Sequence, residues 1–148
     1  MKILLISVNN ETDPYPVAPI GVAYVAKALK DAGHDATILD LCFARDDYYE
    51  VEYFLKNFSP DIIGLSIRNI DNLTYNKSIF YLPRIRRIVD FIKTKTDAPF
   101  VAGGSGFSIF PEDVLRYLCL DMGIAGEGEI VFPLLVNALK NGADIYEI

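Results

Sequence analysis

Histidine is almost missing from this chain: His34 is the only one in 148 residues. A Ser/His/Asp or Cys/His arrangement needs a histidine beside its nucleophile. His34 follows Gly33 in a turn and reads as a structural or solvated residue, so that chemistry is excluded. Cysteine is nearly as scarce. Cys42 and Cys119 lie far apart and make no C-x-x-C metal or redox pair, and a disulfide framework is not expected. No apolar run reaches the roughly 18–20 residues of a membrane span. The opening Met1–Ile6 is too short for a signal peptide, lacks a cleavage site, and reads as a first buried strand. Basic runs are lacking too. Fourteen Lys and Arg face twenty Asp and Glu for a net charge of -6, and Arg84, Arg86 and Arg87 are the densest basic cluster. Nucleic acid is therefore a disfavoured partner. These absences lead us to expect a cytoplasmic protein without membrane or nucleic-acid partners.

What is present is a chain long enough for one domain with a sizeable core, 51% hydrophobic and 23% charged. Five apolar segments, at 2–8, 35–40, 61–67, 99–102 and 121–125, read as strands. They are nearly continuous in apolar residues, as strands covered on both faces are. Helical patterns separate them: Gly21–Ala32 with Val22, Val25, Ala26 and Leu29 on one stripe, then 46–58, then 79–96, a short helix from Pro111, and about 130–140. The spacing predicts a three-layer α/β domain, a flavodoxin-like or Rossmann-like (βα)5 parallel sheet with strand order 2-1-3-4-5.

In such sheets ligands sit outside the strand carboxyl ends. There the fourth strand breaks into Gly103-Gly104-Ser105-Gly106 and the fifth into Gly126-Glu127-Gly128-Glu129. The loops after strands 1 and 3, at 9–19 and 68–78, are long, and long loops usually carry function. A phosphate-accepting receiver domain needs an acidic pair after strand 1 and an aspartate ending strand 3. Asn9-Asn10 and Ser66-Ile67-Arg68 stand there instead. The first loop, Asn-Glu-Thr-Asp-Pro-Tyr-Pro, is acidic and stiff where a flavodoxin cradles phosphate, and there is no G-x-x-x-x-G-K-[ST].

The order Pro19-Ile20-Gly21-x-x-Tyr24-x-Ala26-x-x-Leu29, Gly33-His34 leading to Asp40, Pro60-Asp61-Ile62-Ile63-Gly64-Leu65-Ser66, Val101-Ala102-Gly103-Gly104 and Gly126-Glu127-Gly128-Glu129 covers nearly the whole chain. In this it resembles the cobalamin-binding domain at the N-terminus of many radical S-adenosylmethionine enzymes. The resemblance implies a corrinoid lying face-on across the carboxyl edge, with its nucleotide tail running down between strands in the base-off state. It assigns candidate contacts to Asn9 and Asn10, to Ser66, Ile67 and Arg68, to Gly103, Gly104 and Ser105, and to Gly126, Glu127 and Gly128. Ser66 would offer a hydroxyl, the Gly103-Gly104 pair would make room, and backbone near Gly126 and Gly128 would meet the tail or corrin amides. The D-x-H-x-x-G motif that supplies a cobalt-ligating histidine in methionine-synthase-like relatives is lacking here. The lower face of the cobalt would then meet water, a carbonyl or an apolar side chain from one of the two long loops.

Simpler roles remain open beside these. Gly103-Gly104 also suits a tight turn, Ser66 an ordinary polar strand end, and Asp40 a cap for the next loop. Glu127 and Glu129 suit the positive end of a helix, and Tyr15, Tyr75 and Tyr81 suit either corrin stacking or covering a core edge. The C-x-x-x-C-x-x-C motif that holds a 4Fe-4S cluster is absent. The expectation is a truncated domain whose radical S-adenosylmethionine barrel, with S-adenosylmethionine and the cluster, lies outside this chain. The domain alone would bind corrinoid and do no chemistry. The alternatives are a family domain that has lost its corrinoid and serves as a scaffold or cap, and a receiver-like interaction module.

Overall fold

In a computed structural model, which describes residues 1–72, 74 and 77–143, the chain alternates strand and helix as its pattern predicts. The elements in chain order are β1 (Lys2–Ser7), α1 (Ile20–Asp31), β2 (Asp35–Asp40), α2 (Asp47–Phe58), β3 (Ile62–Ser66), α3 (Leu82–Lys93), β4 (Phe100–Gly103), α4 (Pro111–Leu118), β5 (Met122–Gly123) and α5 (Gly128–Asn141). The strands form one parallel sheet in the order β2-β1-β3-β4-β5.

Side chains alternate across a strand, and the two faces of this sheet bury two separate cores. Leu4, Ile6, Ile63, Leu65 and Ala102 pack with Val51, Ile85, Ile88 and Val89 beneath α2 and α3. Ile3, Leu5, Ile62 and Val101 pack with Val22, Leu29, Phe132 and Val136 beneath α1 and α5. Local chemistry sets the helix ends. The Asp46 carboxylate accepts hydrogen bonds from the Tyr48 and Tyr49 amides at the start of α2. Gly33 adopts φ +83° just beyond α1.

Several boundaries differ from those the sequence predicts. The third helix starts at Leu82 rather than Ile79, because an antiparallel bridge between Asp71 and Phe80 holds the preceding residues extended. The fifth strand is only Met122–Gly123. The Ile124 amide still donates to the Ala102 carbonyl at 2.8 Å, but the chain then turns at Gly126 with φ +92°. That early turn lets α5 begin at Gly128, two residues sooner than expected. A 3-10 turn at Phe107–Ile109, unforeseen in the sequence, drops the Phe107 ring into the core against Gly123.

Candidate functional site

The site begins with the strand register. On the face toward α1 and α5, Leu5 pairs with Gly64 and Gly64 with Val101. The next row toward the carboxyl edge is Ser7, Ser66 and Gly103, again side by side. One apolar row is thus followed, about 6–7 Å further along the strands, by a row of the smallest side chains. Above that row α1 and α5 do not close onto the sheet, and a cavity of about 690 Å³ remains.

The cavity has a floor and a mouth of different character. Gly64 leaves the space that Leu5 and Phe132 fill. An added Cβ would stand 2.5 Å from Leu5 Cδ2 and 2.9 Å from Phe132 Cε1. Those two side chains, with Val101, make an apolar floor, and Val22 and Val25 of α1 make an apolar side wall. The mouth carries Asn9, Arg68, Ser105, Ser108 and Glu129, and the first turns of α1 and α5. Asn9 is 9% exposed. Its Oδ1 accepts a hydrogen bond from the Glu11 amide, whereas its Nδ2 has no partner. Asn9 is one of the residues that line the cavity, although its Nδ2 is itself buried from solvent, and a buried, unpartnered donor costs free energy. Neither α1 nor α5 has a side-chain cap on its first turn.

The two glycine breaks do different work. At Gly103 an added Cβ would meet only the Ile124 carbonyl oxygen, at 3.5 Å, so the missing side chain leaves cavity space. At Gly104, with φ +104°, an added Cβ would stand 2.7 Å from the Ile67 carbonyl oxygen. Gly104 is therefore required by a tight turn in which the Gly106 amide donates to the Ile67 carbonyl at 3.0 Å. Hydroxyls knit the strand ends together. Ser105 Oγ donates to the Arg68 carbonyl at 3.1 Å, and Ser108 Oγ donates to the Gly104 carbonyl at 3.0 Å while accepting from the Gly126 amide at 2.9 Å.

Of the candidate residues, Asn9, Ser66, Arg68, Gly103, Gly104, Ser105, Gly126 and Gly128 line the cavity. Asn10 and Glu127 are exposed and stand outside it, and the Ile67 side chain points into the opposite core. Tyr15 is exposed, Tyr75 lies outside the described residues, and Asp40 caps the next loop by accepting from the Cys42 amide at 3.2 Å. His34 is buried in the turn between α1 and β2 at the amino end of the sheet. Sequence reasoning missed Ser7, Gly64, Ser108 and Phe132. The signal for the first two was there: they continue the alternation of Leu5 and Ser66, but only the strand register brings them into the same rows.

The loop after β1 is anchored from α3. Arg84 Nη1 donates to the Val8 carbonyl at 2.7 Å, while Nε and Nη2 grip the Asp47 carboxylate at 2.9 and 2.6 Å. The Tyr81 hydroxyl donates to the Glu11 carboxylate. That bond, helped by the Asp13 amide, holds the Glu11 carboxyl below its ordinary range. Burial, with the bond and charge of Glu11, pushes the Tyr81 phenol up to about 12. Arg86, from the basic cluster, is engaged with Asp90. No helix among the described residues is long and apolar enough to cross a membrane.

Comparison with known proteins agrees with this fold. The family model of the B12 binding domain matches residues 6–136. Tryptophan 2-C-methyltransferase of Streptomyces laurentii is 32% identical over 135 residues, which cover 90% of this chain and 22% of that protein. The radical S-adenosylmethionine methyltransferase TsrM from Kitasatospora setae, solved with cobalamin and a [4Fe-4S] cluster bound, superposes with a TM-score of 0.90 at 32% identity, covering 97% of this chain and 25% of that one. The cobalamin-dependent radical enzyme OxsB shares the fold, with a TM-score of 0.77 at 20% identity over 97% of this chain and 19% of that one. The chain spans about a quarter of the length of the relatives it matches.

Proposed function

The chain belongs to the B12-binding domain family, and we propose that it is the corrinoid-holding module of a longer, cobalamin-dependent radical S-adenosylmethionine methyltransferase. The observation that carries this reading is the in-register row Ser7, Ser66 and Gly103 beneath a polar mouth that Asn9, Arg68 and Ser105 help to line. A slot with an apolar floor, small walls and a polar mouth fits a long tail that is aromatic at its end and rich in oxygen nearer the ring.

The residues present fit a cobalamin in the base-off state. Ser7 and Ser66 offer hydroxyls to the tail, and Gly103 leaves it room. Arg68, exposed at the mouth, offers donors to its oxygens. The Tyr81–Glu11 and Arg84–Asp47 contacts hold the loop after β1, which would face a bound corrinoid, in place. That loop carries no histidine, so a bound cobalamin would receive no imidazole from it. When bound, the cobalamin supplies the carbon-carrying centre of the parent enzyme. S-adenosylmethionine and the 4Fe-4S cluster belong to the barrel outside this chain, and the parent is cytoplasmic.

The test is retention of hydroxocobalamin by the purified domain through gel filtration. Corrin absorbance eluting with the protein at a one-to-one ratio is the expected result. Absence of corrin from the protein peak, for this domain and for the longer parent chain alike, would overturn the reading.

A further inference from the structure

The polarity of the cavity changes with depth. Its hydrogen-bonding side chains, Asn9, Arg68, Ser105, Ser108 and Glu129, gather at the mouth, and Ser7 and Ser66 stand one row down. Below that row the lining is Leu5, Gly64 and Val101 from the sheet and Phe132 from α5, while Val22 and Val25 near the start of α1 make an apolar side wall. None of these side chains donates or accepts a hydrogen bond. The backbone groups of β1, β3 and β4 at this level are taken up by the parallel ladders. The floor is also closed, because Leu5 and Phe132 meet over Gly64 with no space for even a methyl group between them.

Natural corrinoids differ in the base at the end of the tail. Some carry a benzimidazole, whose six-membered ring has only carbon at its edge. Others carry adenine, whose six-membered ring bears an exocyclic amine and two ring nitrogens. In either case the five-membered ring is the one joined to ribose, so its nitrogen belongs near the hydroxyls of Ser7 and Ser66, and the six-membered ring goes deeper. We infer that this cavity selects the tail by its base: it takes corrinoids with a benzimidazole or another base lacking a hydrogen-bonding edge, and rejects adenine-tailed ones. An adenine amine or ring nitrogen pressed against Leu5, Val101 and Phe132 loses its water and gains no partner. Each such group left unsatisfied weakens binding by roughly ten- to a hundredfold.

This inference rests on the tail entering the cavity, and the experiment separates the two. The purified domain is titrated with hydroxocobalamin, with the adenine-tailed corrinoid, and with cobinamide, which has no tail, each followed by its visible spectrum. The expected order is hydroxocobalamin tightest and the adenine-tailed corrinoid at least tenfold weaker, approaching cobinamide. Equal affinity for the two tailed corrinoids with much weaker cobinamide would overturn the base selection while leaving the tail in the cavity. Equal affinity for all three would overturn both.

Discussion

Replacing Gly103 with leucine should close the cavity at the level of Ser7 and Ser66 and leave the fold intact. The backbone allows it: Gly103 is not among the glycines with positive φ. The first added carbon is tolerated, since its nearest contact is the Ile124 carbonyl oxygen at an ordinary 3.5 Å. The remaining carbons project over the row that pairs Ser66 with Gly103. A buried tail base is comparable to an aromatic side chain, which hides ~150–250 Å². At ~25 cal/mol per Å² its exclusion forfeits about 4–6 kcal/mol, and with ~1.4 kcal/mol per factor of ten the affinity for cobalamin should fall by about three to four orders of magnitude. Titration with hydroxocobalamin measures this, with circular dichroism and thermal melting to show that the variant is folded. Gly103→Ala should bind nearly as the wild type does. Cobinamide, lacking the tail, should bind Gly103→Leu and wild type alike. A folded Gly103→Leu protein with unchanged cobalamin affinity would refute the placement of the tail. Gly104 is the wrong position for this test, because its φ of +104° and the Ile67 carbonyl at 2.7 Å make any side chain there a folding defect first.

Other perturbations probe the scaffold. Arg84→Met leaves the half-buried Asp47 carboxylate and the Val8 carbonyl without their donor, which should cost about 1–3 kcal/mol and about 2–4 °C of Tm for each kcal/mol; an unchanged melting curve would show that the anchor carries no weight. Phe107→Ala empties a site where the ring is 1% exposed and should cost about 3–5 kcal/mol in urea unfolding, whereas a loss no greater than that of a surface substitution would contradict the packing. Burial, with the N-terminal amine and Lys140 adding to it, holds the His34 imidazole below its ordinary pKa. The unfolded chain therefore binds the extra proton first as pH falls below about 6.5. The stability that neutral His34 contributes is present above that pH and lost below it, so His34→Gln should flatten the acid limb of a stability profile. Parallel profiles for the two proteins would remove His34 as its cause.

The sheet was legible in the sequence because both its faces are covered. Near-continuous apolar segments separated by amphipathic helices leave few other topologies, and β2-β1-β3-β4-β5 is the observed order. The weakest element was β5, where Ile124 and Ala125 look like strand but follow the last ladder pair, Ala102 with Gly123. The Ile124 side chain serves the core, and Ala125 is exposed. At the site, the glycine breaks marked the right edge of the sheet. They did not say which glycine makes space and which makes a turn. Gly103 and Gly104 are adjacent and chemically identical, and only their φ angles and nearest atoms separate them. Ser7 and Gly64 were hidden for a related reason. Each looks like a filler within an apolar strand until the register sets Ser7 beside Ser66, and Gly64 beneath Leu5 and Phe132.

The central claim is that the tail leaves cobalt and enters the slot between the sheet, α1 and α5. Electron paramagnetic resonance of the purified domain loaded with cob(II)alamin tests it most directly. Free cobalamin at neutral pH keeps its base on cobalt, and each cobalt line is split into a triplet by the coordinated nitrogen. With no histidine in the loop after β1 to replace that base, the bound spectrum should show cobalt lines without nitrogen splitting. A retained triplet in the protein-bound cofactor would contradict the account.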